Sequence, residues 1–271
     1  MPGGPALVRL ADAVDEGEFG GKGAQLAAAL RAGLPVPGGY ALGWAAVETA
    51  VAGDADLGAE LVGLAPGPWA VRSSAIGEDS AAASFAGAHL SVLGVAGATG
   101  LADAVRRVHA SARDGSALSY REQHGIETPC RMAVVLQEMV AADVAGVLFT
   151  RHPVTGDRER VIEASWGLGE MVVSGQVTPD NYRVSCDGVP LDWSPGEKDV
   201  ALRLLPDGRV EEHEVAADLV EARCLDDDQL RALHDLASAC DEAYGSTDHD
   251  IEFAFAGSRL FLLQRRPITH G

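Results

Sequence analysis

The carboxyl-terminal part of the chain combines oxygen ligands and a guanidinium at a spacing that suits β-strands. Asp250, Glu252, Gln264 and Arg266 all lie at even positions. Apolar side chains lie at the intervening odd positions: Ile251, Phe253, Phe255, Phe261 and Leu263. Because side chains alternate between the two faces of a strand, we predict a β-hairpin with one apolar and one polar face. Carboxylates and an amide oxygen beside a guanidinium suit Mg²⁺ and a phosphate chain.

The loop of this hairpin decides whether the polar residues meet. A three-residue loop at 256–258 would place residue 252 opposite 262 and residue 250 opposite 264. All four polar side chains would then share one face, whereas a two-residue loop would scramble the pairing. We therefore predict the three-residue loop. A solvated edge hairpin without any chemistry would show the same alternation and stays open as an alternative at this point.

Composition narrows the class of protein. The 271 residues are 47% hydrophobic, which is enough for one large domain or two lobes. Charged residues interrupt the apolar runs, so no transmembrane span is predicted, and the first residues do not have the pattern of a signal peptide. The four cysteines show no CxxC spacing, which argues against a zinc site and favours a cytoplasmic protein. A net charge of -19 disfavours binding to nucleic acid or anionic membranes.

A glycine-rich turn at 20–23 leads into a helix that a glycine at position 33 ends. Such a turn presents backbone N–H groups at the positive end of the helix dipole, which favours anions. It is not a Walker A loop, because GxxxxGK[ST] is absent, and a plain loop is equally compatible with it. Lys22, Arg72 and Arg266 are the candidates for a local basic cluster that opposes the acidic surface.

The remaining elements alternate irregularly. We predict a mobile flap at 75–87, because small residues there show no helical or strand period. Predicted strands are 69–74, 132–140, 144–150, 160–164, 182–185 and 201–205, and predicted helices are 99–120 and 225–244. The last helix begins with three aspartates that can cap it. The absence of a regular βαβ alternation predicts an α+β fold.

Short motifs in a fixed order resemble one known family. They are Gly-Gly-Lys-Gly (20–23), Gly-Leu-Pro-Val-Pro (33–37), Val-Arg-Ser-Ser-Ala (71–75), Ala-Ser-Phe-Ala-Gly (83–87), Gly-Val-Leu-Phe-Thr (146–150), Pro-Val-Thr-Gly (153–156), Gly-Leu-Gly-Glu (167–170), Val-Thr-Pro-Asp (177–180) and Leu-Gln-Arg-Arg-Pro (263–267). Together they resemble the N-terminal ATP-grasp domain of the phosphoenolpyruvate synthase, pyruvate phosphate dikinase and rifampin phosphotransferase family. The resemblance implies one ATP-grasp domain over 1–271, with lobes near 1–130 and 131–271 and ATP bound between them.

The resemblance also implies a role for individual residues. Lys22, Arg72 and Arg266 would be catalytic and would contact the phosphates, with Ser73 beside Arg72 and the loop through Gly87 covering them. The adenine pocket would be lined by Gln137, Glu138, Met139 and Val140. Glu252 and Gln264 would hold Mg²⁺. Phosphoryl transfer needs this kind of alignment and positive charge more than covalent chemistry from the protein.

Two departures from the family pattern affect the expected function. The stretch between Trp44 and Trp69 is shorter than in the family, which predicts a trimmed first lobe. None of the eight histidines follows the Thr-x-Gly-Gly pattern that marks the family's phosphohistidine, so we expect no swivelling histidine domain within this chain. His152 stands where the family usually has Asp or Asn, and we expect it only to lie on a turn, without a functional role.

Three functions follow from these expectations. The first is a stand-alone Mg-ATP-dependent subunit that passes phosphate to a histidine on a separate protein and leaves AMP and phosphate. The second is a self-contained kinase or ligase acting directly on a small molecule. The third is a non-catalytic nucleotide-binding module. An excised domain of a longer enzyme would carry the same motifs.

Overall fold

The protein is described by a computed structural model that covers residues 7–53, 57–64, 67–77, 90–112 and 131–268, except for the side chain of residue 60. The chain forms two compact units, one of Met1–Leu30 with Gly38–Met139 and one of Arg31–Pro37 with Val140–Gly271. The division after Met139, rather than near residue 130, arises because the strand that ends at Glu138 belongs to the first sheet. Helices and strands mix without a βαβ alternation, which confirms the α+β class.

The first unit is built on a five-stranded antiparallel sheet. Its strands in the order β1-β2-β5-β3-β4 are β1 (Leu7–Arg9), β2 (Gly39–Leu42), β5 (Met132–Glu138), β3 (Trp69–Ala75) and β4 (Ser91–Val95). A 3-10 turn (Leu10–Asp12) and four helices complete the described part: α1 (Glu16–Arg31), α2 (Trp44–Ala52), α3 (Leu57–Leu61) and α4 (Gly97–Ser111). The short helices α2 and α3 fill the stretch expected to be trimmed. The predicted end of α4 near residue 120 lies outside the described residues, as does most of the predicted flap.

One face of this sheet forms the core of the first unit. Trp69, Val71 and Ala75 of β3 alternate inward and pack with Met132 and Leu136 of β5 against the helices. The opposite face of the same two strands therefore carries Arg72, Ser74 and Gln137.

The second unit contains a six-stranded antiparallel sheet. Its strands in the order β13-β12-β6-β7-β8-β9 are β13 (Arg259–Pro267), β12 (His249–Ala256), β6 (Val144–Phe149), β7 (Glu159–Trp166), β8 (Asp180–Ser185) and β9 (Pro190–Ser194). A separate pair joins β10 (Val200–Leu204) to β11 (Val210–Glu214), and the helices are α5 (Glu170–Val173) and α6 (Asp227–Tyr244). Residues 31–37 belong to this unit, where the N–H of Leu262 donates to the carbonyl of Pro35 at 2.9 Å.

The predicted acidic cap of α6 is confirmed. The Asp226 side chain accepts the backbone N–H of Gln229 at 2.7 Å, and the Gln229 side chain accepts the N–H of Asp226 at 2.9 Å. This reciprocal pair satisfies N–H groups that a helix end otherwise leaves unpaired.

The closing hairpin differs from the prediction in its loop but not in its polar face. Ala256 pairs with Arg259, so the loop has two residues and the predicted three-residue loop is wrong. A bulge next to Glu252 shifts the register, so that Glu252 faces Gln264 and Asp250 faces Arg266. The extra residue of the bulge restores the parity that the short loop removes, and the four polar side chains share one face.

The same bulge changes the predicted apolar face of β13. Leu262 pairs with Phe253 and is fully buried, whereas Leu263 is the extra residue of the bulge. Phe261 pairs with Ala254, two residues from Glu252, and therefore lies on the polar face rather than with Ile251. We predicted that the odd-numbered residues of the hairpin form its apolar face, and this is wrong for β13. Between the loop and the bulge, the pairing is offset by one residue from the predicted register.

No helix in the described segments is long and apolar enough to cross a membrane. The three cysteines within those segments are free thiols, with Cys186 exposed and Cys224 and Cys240 buried.

Candidate nucleotide site

A basic and an amide side chain meet on the polar face of the first sheet. Arg72 of β3 and Gln137 of β5 are diagonal neighbours, since Ala70 pairs with Gln137. Nη1 of Arg72 donates to Oε1 of Gln137 at 3.2 Å. Gln137 is only 3% exposed, so its buried amide orients the half-buried guanidinium of Arg72. A guanidinium held in this way loses less conformational entropy when it binds a phosphate.

The glycine turn is a kink at Gly20 inside α1, which begins at Glu16, so the predicted start of the helix after the turn is wrong. This kink packs directly against β3. Gly20 has a φ of 75°, and a Cβ there would lie 2.2 Å from the carbonyl oxygen of Ser74. Oγ of Ser74 donates to the carbonyl of Phe19 at 2.6 Å and accepts the N–H of Gly23 at 3.0 Å. The expectation that this turn offers its N–H groups to an anion is wrong for Gly23, because that N–H already donates to Ser74.

Lys22 is buried beside β3. It is 4% exposed, and its Nζ donates to the carbonyl oxygen of Ser73 at 2.8 Å. The hydroxyl of Ser73 lies on the face of Val71 and Ala75, which is the core face, and not on the face of Arg72. The structure therefore brings Lys22, Arg72 and Gln137 to one part of the unit and turns the Ser73 side chain away.

The segment that follows β5 is fixed by backbone contacts. The N–H of Glu138 donates to Gly38 at 2.8 Å, and that of Met139 donates to Pro68 at 3.1 Å. The sulfur of Met139 accepts the N–H of Gly94 at 2.9 Å. Glu138 is exposed, and Val140 begins the second unit. Gly87, which was also predicted to contact the nucleotide, lies outside the described residues.

The second group of candidate residues lies on the polar face of the closing hairpin. Glu252 is half-buried and faces Gln264, which is 2% exposed. The hydrogen-bond network assigns the Gln264 amide with its oxygen toward Arg266, whose Nη2 lies 2.7 Å and whose Nε lies 2.5 Å from that oxygen. Gln264 thus orients Arg266 on this strand, as Gln137 orients Arg72 on the other sheet.

A further carboxylate lies on the same face of the sheet as Glu252, in the row of paired residues that crosses β12, β6 and β7. Glu252 pairs with Val147 of β6, and Val147 pairs with Glu163 of β7. Directly paired residues in antiparallel strands share a face, so Glu163 lies on the face of Glu252, about 10 Å away at two strand spacings. The sequence interpretation missed Glu163, although a carboxylate within the apolar strand Val-Ile-Glu-Ala was a visible signal.

This row supplies donors that suit Mg²⁺. Glu252 and Gln264 offer a carboxylate and an amide oxygen, which are hard ligands of the type that Mg²⁺ prefers. Within the described segments, no group of three or more His, Cys, Asp or Glu side chains is arranged to hold a metal. The residues therefore fit a Mg²⁺ ion that takes its other ligands from phosphate oxygens and water, and they do not form an all-protein cage.

The opposite face of the hairpin is held by a buried network. Nε of Arg265 donates to Nδ1 of His249 at 2.8 Å, and the Arg265 guanidinium lies 4.2 Å from the centre of the Tyr244 ring. Nε2 of His249 lies 3.2 Å from a carboxylate oxygen of Asp241, although the two are not aligned for a hydrogen bond. Burial and then the charge of Arg265 lower the pKa of His249 to about 4. A neutral His249 is required here, because a proton on Nδ1 would face the guanidinium.

A second buried network anchors β8. Asp180 and Lys198 are both fully buried, and Nζ of Lys198 lies 2.5 Å from Asp180. Asp180 also accepts from the N–H groups of Gly196 and Cys224 and from the Tyr182 hydroxyl. Burial alone would raise the pKa of Asp180, but these hydrogen bonds outweigh it and lower the pKa. The last residue of the Val-Thr-Pro-Asp motif is thus a structural anchor.

The remaining sequence expectation for this unit concerns His152. Its Nδ1 accepts the backbone N–H groups of Val154 at 3.2 Å and Thr155 at 3.1 Å. The predicted turn at 152–156 is present, and His152 stabilises it through these two hydrogen bonds, a role that the sequence did not predict.

The two antiparallel sheets with their helices, each sheet carrying polar side chains on one face, are compatible with an ATP-grasp-like domain. Residues 45–271 match the family model described as pyruvate phosphate dikinase, AMP/ATP-binding domain. The chain belongs to this family, which confirms the resemblance seen in the motifs.

Curated relatives support the assignment. The chain is 44% identical to a probable phosphoenolpyruvate synthase of Methanothermobacter thermautotrophicus over 74% of its length. It is 38% identical to the phosphoenolpyruvate synthase of Pyrococcus furiosus and 34% identical to the rifampicin phosphotransferase of Bacillus cereus, again over 74% of the chain. These matches span only 29%, 26% and 23% of the respective relatives, so the chain covers less than a third of each.

Proposed function

We propose that the chain binds Mg-ATP and transfers a phosphoryl group in the manner of phosphoenolpyruvate synthase, with AMP and phosphate as the end products. The observation that carries this proposal is the shared polar face of Glu252, Gln264 and Arg266 on a hairpin whose other face is buried. The names of the relatives, which include synthases and a phosphotransferase, support it. The acceptor in this proposal is a histidine outside residues 1–271, carried by a partner protein or domain, which passes the group to a small molecule.

Each residue in the proposal has a role that its surroundings support. Arg72 and Arg266 are each fixed by a glutamine and supply rigid guanidinium groups that bind phosphate oxygens in pairs. Lys22 adds a buried positive charge beside β3. Positive charge held in place before the reaction stabilises the negative charge that spreads over the phosphoryl oxygens in the transition state.

Glu252 and Gln264 are the residues that would hold Mg²⁺. When bound, the ion neutralises and aligns the phosphate oxygens. We also propose that the segment 137–140 contributes to the binding of adenine.

A substitution at Glu252 tests the metal part of the proposal. Glu252→Gln keeps the size of the side chain but removes a hard anionic ligand, so we expect the Mg²⁺ concentration that gives half-maximal ATP binding to rise by about tenfold or more. Calorimetric titration of ATP at a series of Mg²⁺ concentrations measures this. Asp192→Asn, on the exposed edge strand β9, is the matched control. An unchanged Mg²⁺ dependence in Glu252→Gln would remove this residue from the metal site.

A second candidate function is direct phosphorylation of a small molecule, with ADP as the product. The likeness to a protein named rifampicin phosphotransferase favours a small-molecule acceptor at the end of the pathway. The nucleotide product separates the two candidates, since AMP supports the first and ADP the second. Binding without turnover under any condition would instead support a non-catalytic module.

A further inference from the structure

A polar pocket lies on the far side of the second sheet from Glu252. Its volume is about 210 Å³, and its walls include Arg151, Arg158, Arg160 and Asp241. Arg160 precedes Val161 and Glu163 on β7 by an odd number of residues, so it lies on the face opposite to Glu163 and Glu252. Helix α6 covers that face, since Arg160 contacts His234 and Ser238 there. The pocket is therefore separate from the residues assigned to Mg-ATP.

The wall of this pocket contains a buried guanidinium with neutral partners. Arg160 is 7% exposed; its Nη1 donates to the carbonyl of His234 at 2.9 Å and its Nη2 to Oγ of Ser238 at 3.1 Å. Among the described residues, no carboxylate lies within 4.0 Å of it. A buried charge without an ion partner is unfavourable unless another group compensates it.

The electrostatics of Arg160 point to a missing negative charge. Burial lowers the pKa of Arg160, and the more distant charge of Asp241 opposes this effect. Burial raises the pKa of Asp241 itself, which favours its neutral form and limits how far it can compensate Arg160. The pocket thus offers more guanidinium groups than carboxylates, since three arginines line it together with Asp241 and Asp248.

The other two arginines of the pocket differ in how firmly their side chains are held. Arg151 is fixed, because its Nε pairs with Asp248 at 3.0 Å and its Nη1 donates to Gly156 at 2.9 Å. Arg158 is exposed, and Cys186 donates to its backbone carbonyl, which holds the main chain while the side chain stays on the surface. Planar guanidinium groups around a small cavity match the oxygens of a phosphate group.

We propose that this pocket binds a small phosphate-bearing anion, either inorganic phosphate or a phosphate monoester, between Arg160 and Arg158. The oxygens of the anion replace the missing ion partner of Arg160, and Arg158 closes over them from the surface. Because the site lies behind the hairpin, its ligand is distinct from the ATP phosphates.

Titration calorimetry with inorganic phosphate tests the site. The measurement uses the intact chain without nucleotide, at constant ionic strength in a chloride background. We expect saturable binding that Arg158→Gln weakens by about tenfold, because a charge-assisted contact is lost. Arg160→Gln should weaken it at least as much, and circular dichroism checks that this buried variant is folded. Glycerol 3-phosphate in place of phosphate shows whether the pocket also accepts a monoester.

Two control variants make the result specific. Arg231→Gln removes an exposed arginine of α6 outside the pocket and should leave the phosphate affinity unchanged. Arg266→Ala removes the guanidinium assigned to ATP and should also leave it unchanged. The proposal is overturned if neither anion binds saturably, or if Arg158→Gln binds phosphate as tightly as the natural chain. Loss of binding in Arg266→Ala alone would place the anion at the nucleotide residues and would equally overturn it.

Discussion

At the scale of single residues, the two candidate arginines share one arrangement. Each is half-buried, and each contacts the amide of a buried glutamine on the same strand face, Arg72 with Gln137 and Arg266 with Gln264. The glutamines fix the planes of the guanidinium groups. Guanidinium groups fixed in this way suit contacts that become stronger as charge develops on a phosphoryl group in the transition state. They are less suited to a role in binding the ground state alone.

We predict that Arg266→Ala lowers the turnover number far more than the affinity for ATP. The expected loss in kcat is on the order of 10²–10³, because a preorganised charge acts mainly in the transition state. The dissociation constant for Mg-ATP should change by less than about tenfold. Steady-state kinetics and calorimetry on the same preparations measure the two quantities, with Arg231→Ala as the control. Equal losses in kcat and affinity would contradict the role.

The buried His249 predicts a pH dependence of stability. Its pKa is about 4 in the folded chain, against an ordinary value of 6.5. In this window the unfolded chain binds more protons, so this group makes the free energy of unfolding fall as the pH falls from 6.5 toward 4. Between pH 7.5 and 5 the expected loss from this residue is about 2 kcal/mol.

Urea unfolding at the two pH values measures this loss. His249→Gln removes the titrating group, so its stability should vary less with pH than that of the natural chain. His213→Gln, at an exposed position, should keep the full pH dependence. A pH dependence that is the same in His249→Gln and the natural chain would show that His249 is not the group responsible.

At the scale of elements, the contact between the glycine turn and β3 positions Lys22. The turn approaches Ser74 so closely that no side chain fits at Gly20, and the Ser74 hydroxyl joins Phe19 to Gly23. The spacing of glycines in the motif thus follows from packing against β3. It does not follow from an anion site made of backbone N–H groups alone.

We predict that Gly20→Ala destabilises the chain by roughly 3 kcal/mol, from backbone strain at positive φ together with the clash with Ser74. Gly53→Ala is the matched control, since Gly53 has a φ of 86° but no atom within 4 Å of the added Cβ. It should cost only about 1 kcal/mol. Chemical denaturation of both variants measures the difference, and equal destabilisation would show that the contact with Ser74 contributes nothing.

The elements also show which features a sequence can predict. The cap of α6 was predictable, because Asp226 and Gln229 interact within one helical turn. The hairpin loop was not, because its bulge depends on how β13 packs and the alternation of residues 250–266 fits either loop. Glu163 was missed since its place beside Glu252 depends on β6 lying between β7 and β12, and such strand order is set by long-range pairing.

At the scale of the whole molecule, the chain combines two compact units with a net charge of -19. Family membership rests on residues 45–271, which include the strands that carry Arg72, Glu252 and Arg266. The candidate residues therefore come from both units. The relatives are three to four times longer than the matched region, and the histidine acceptor outside residues 1–271 belongs to the proposal.

The identity of the nucleotide product tests the proposed function most directly. The purified chain is incubated with Mg-ATP, with and without cell extract as a source of acceptor, and ATP, ADP and AMP are separated by chromatography. We predict Mg²⁺-dependent formation of AMP that is lost in Glu252→Gln. Accumulation of ADP alone would contradict the proposal. Absence of Mg²⁺-dependent conversion of ATP under both conditions would also contradict it.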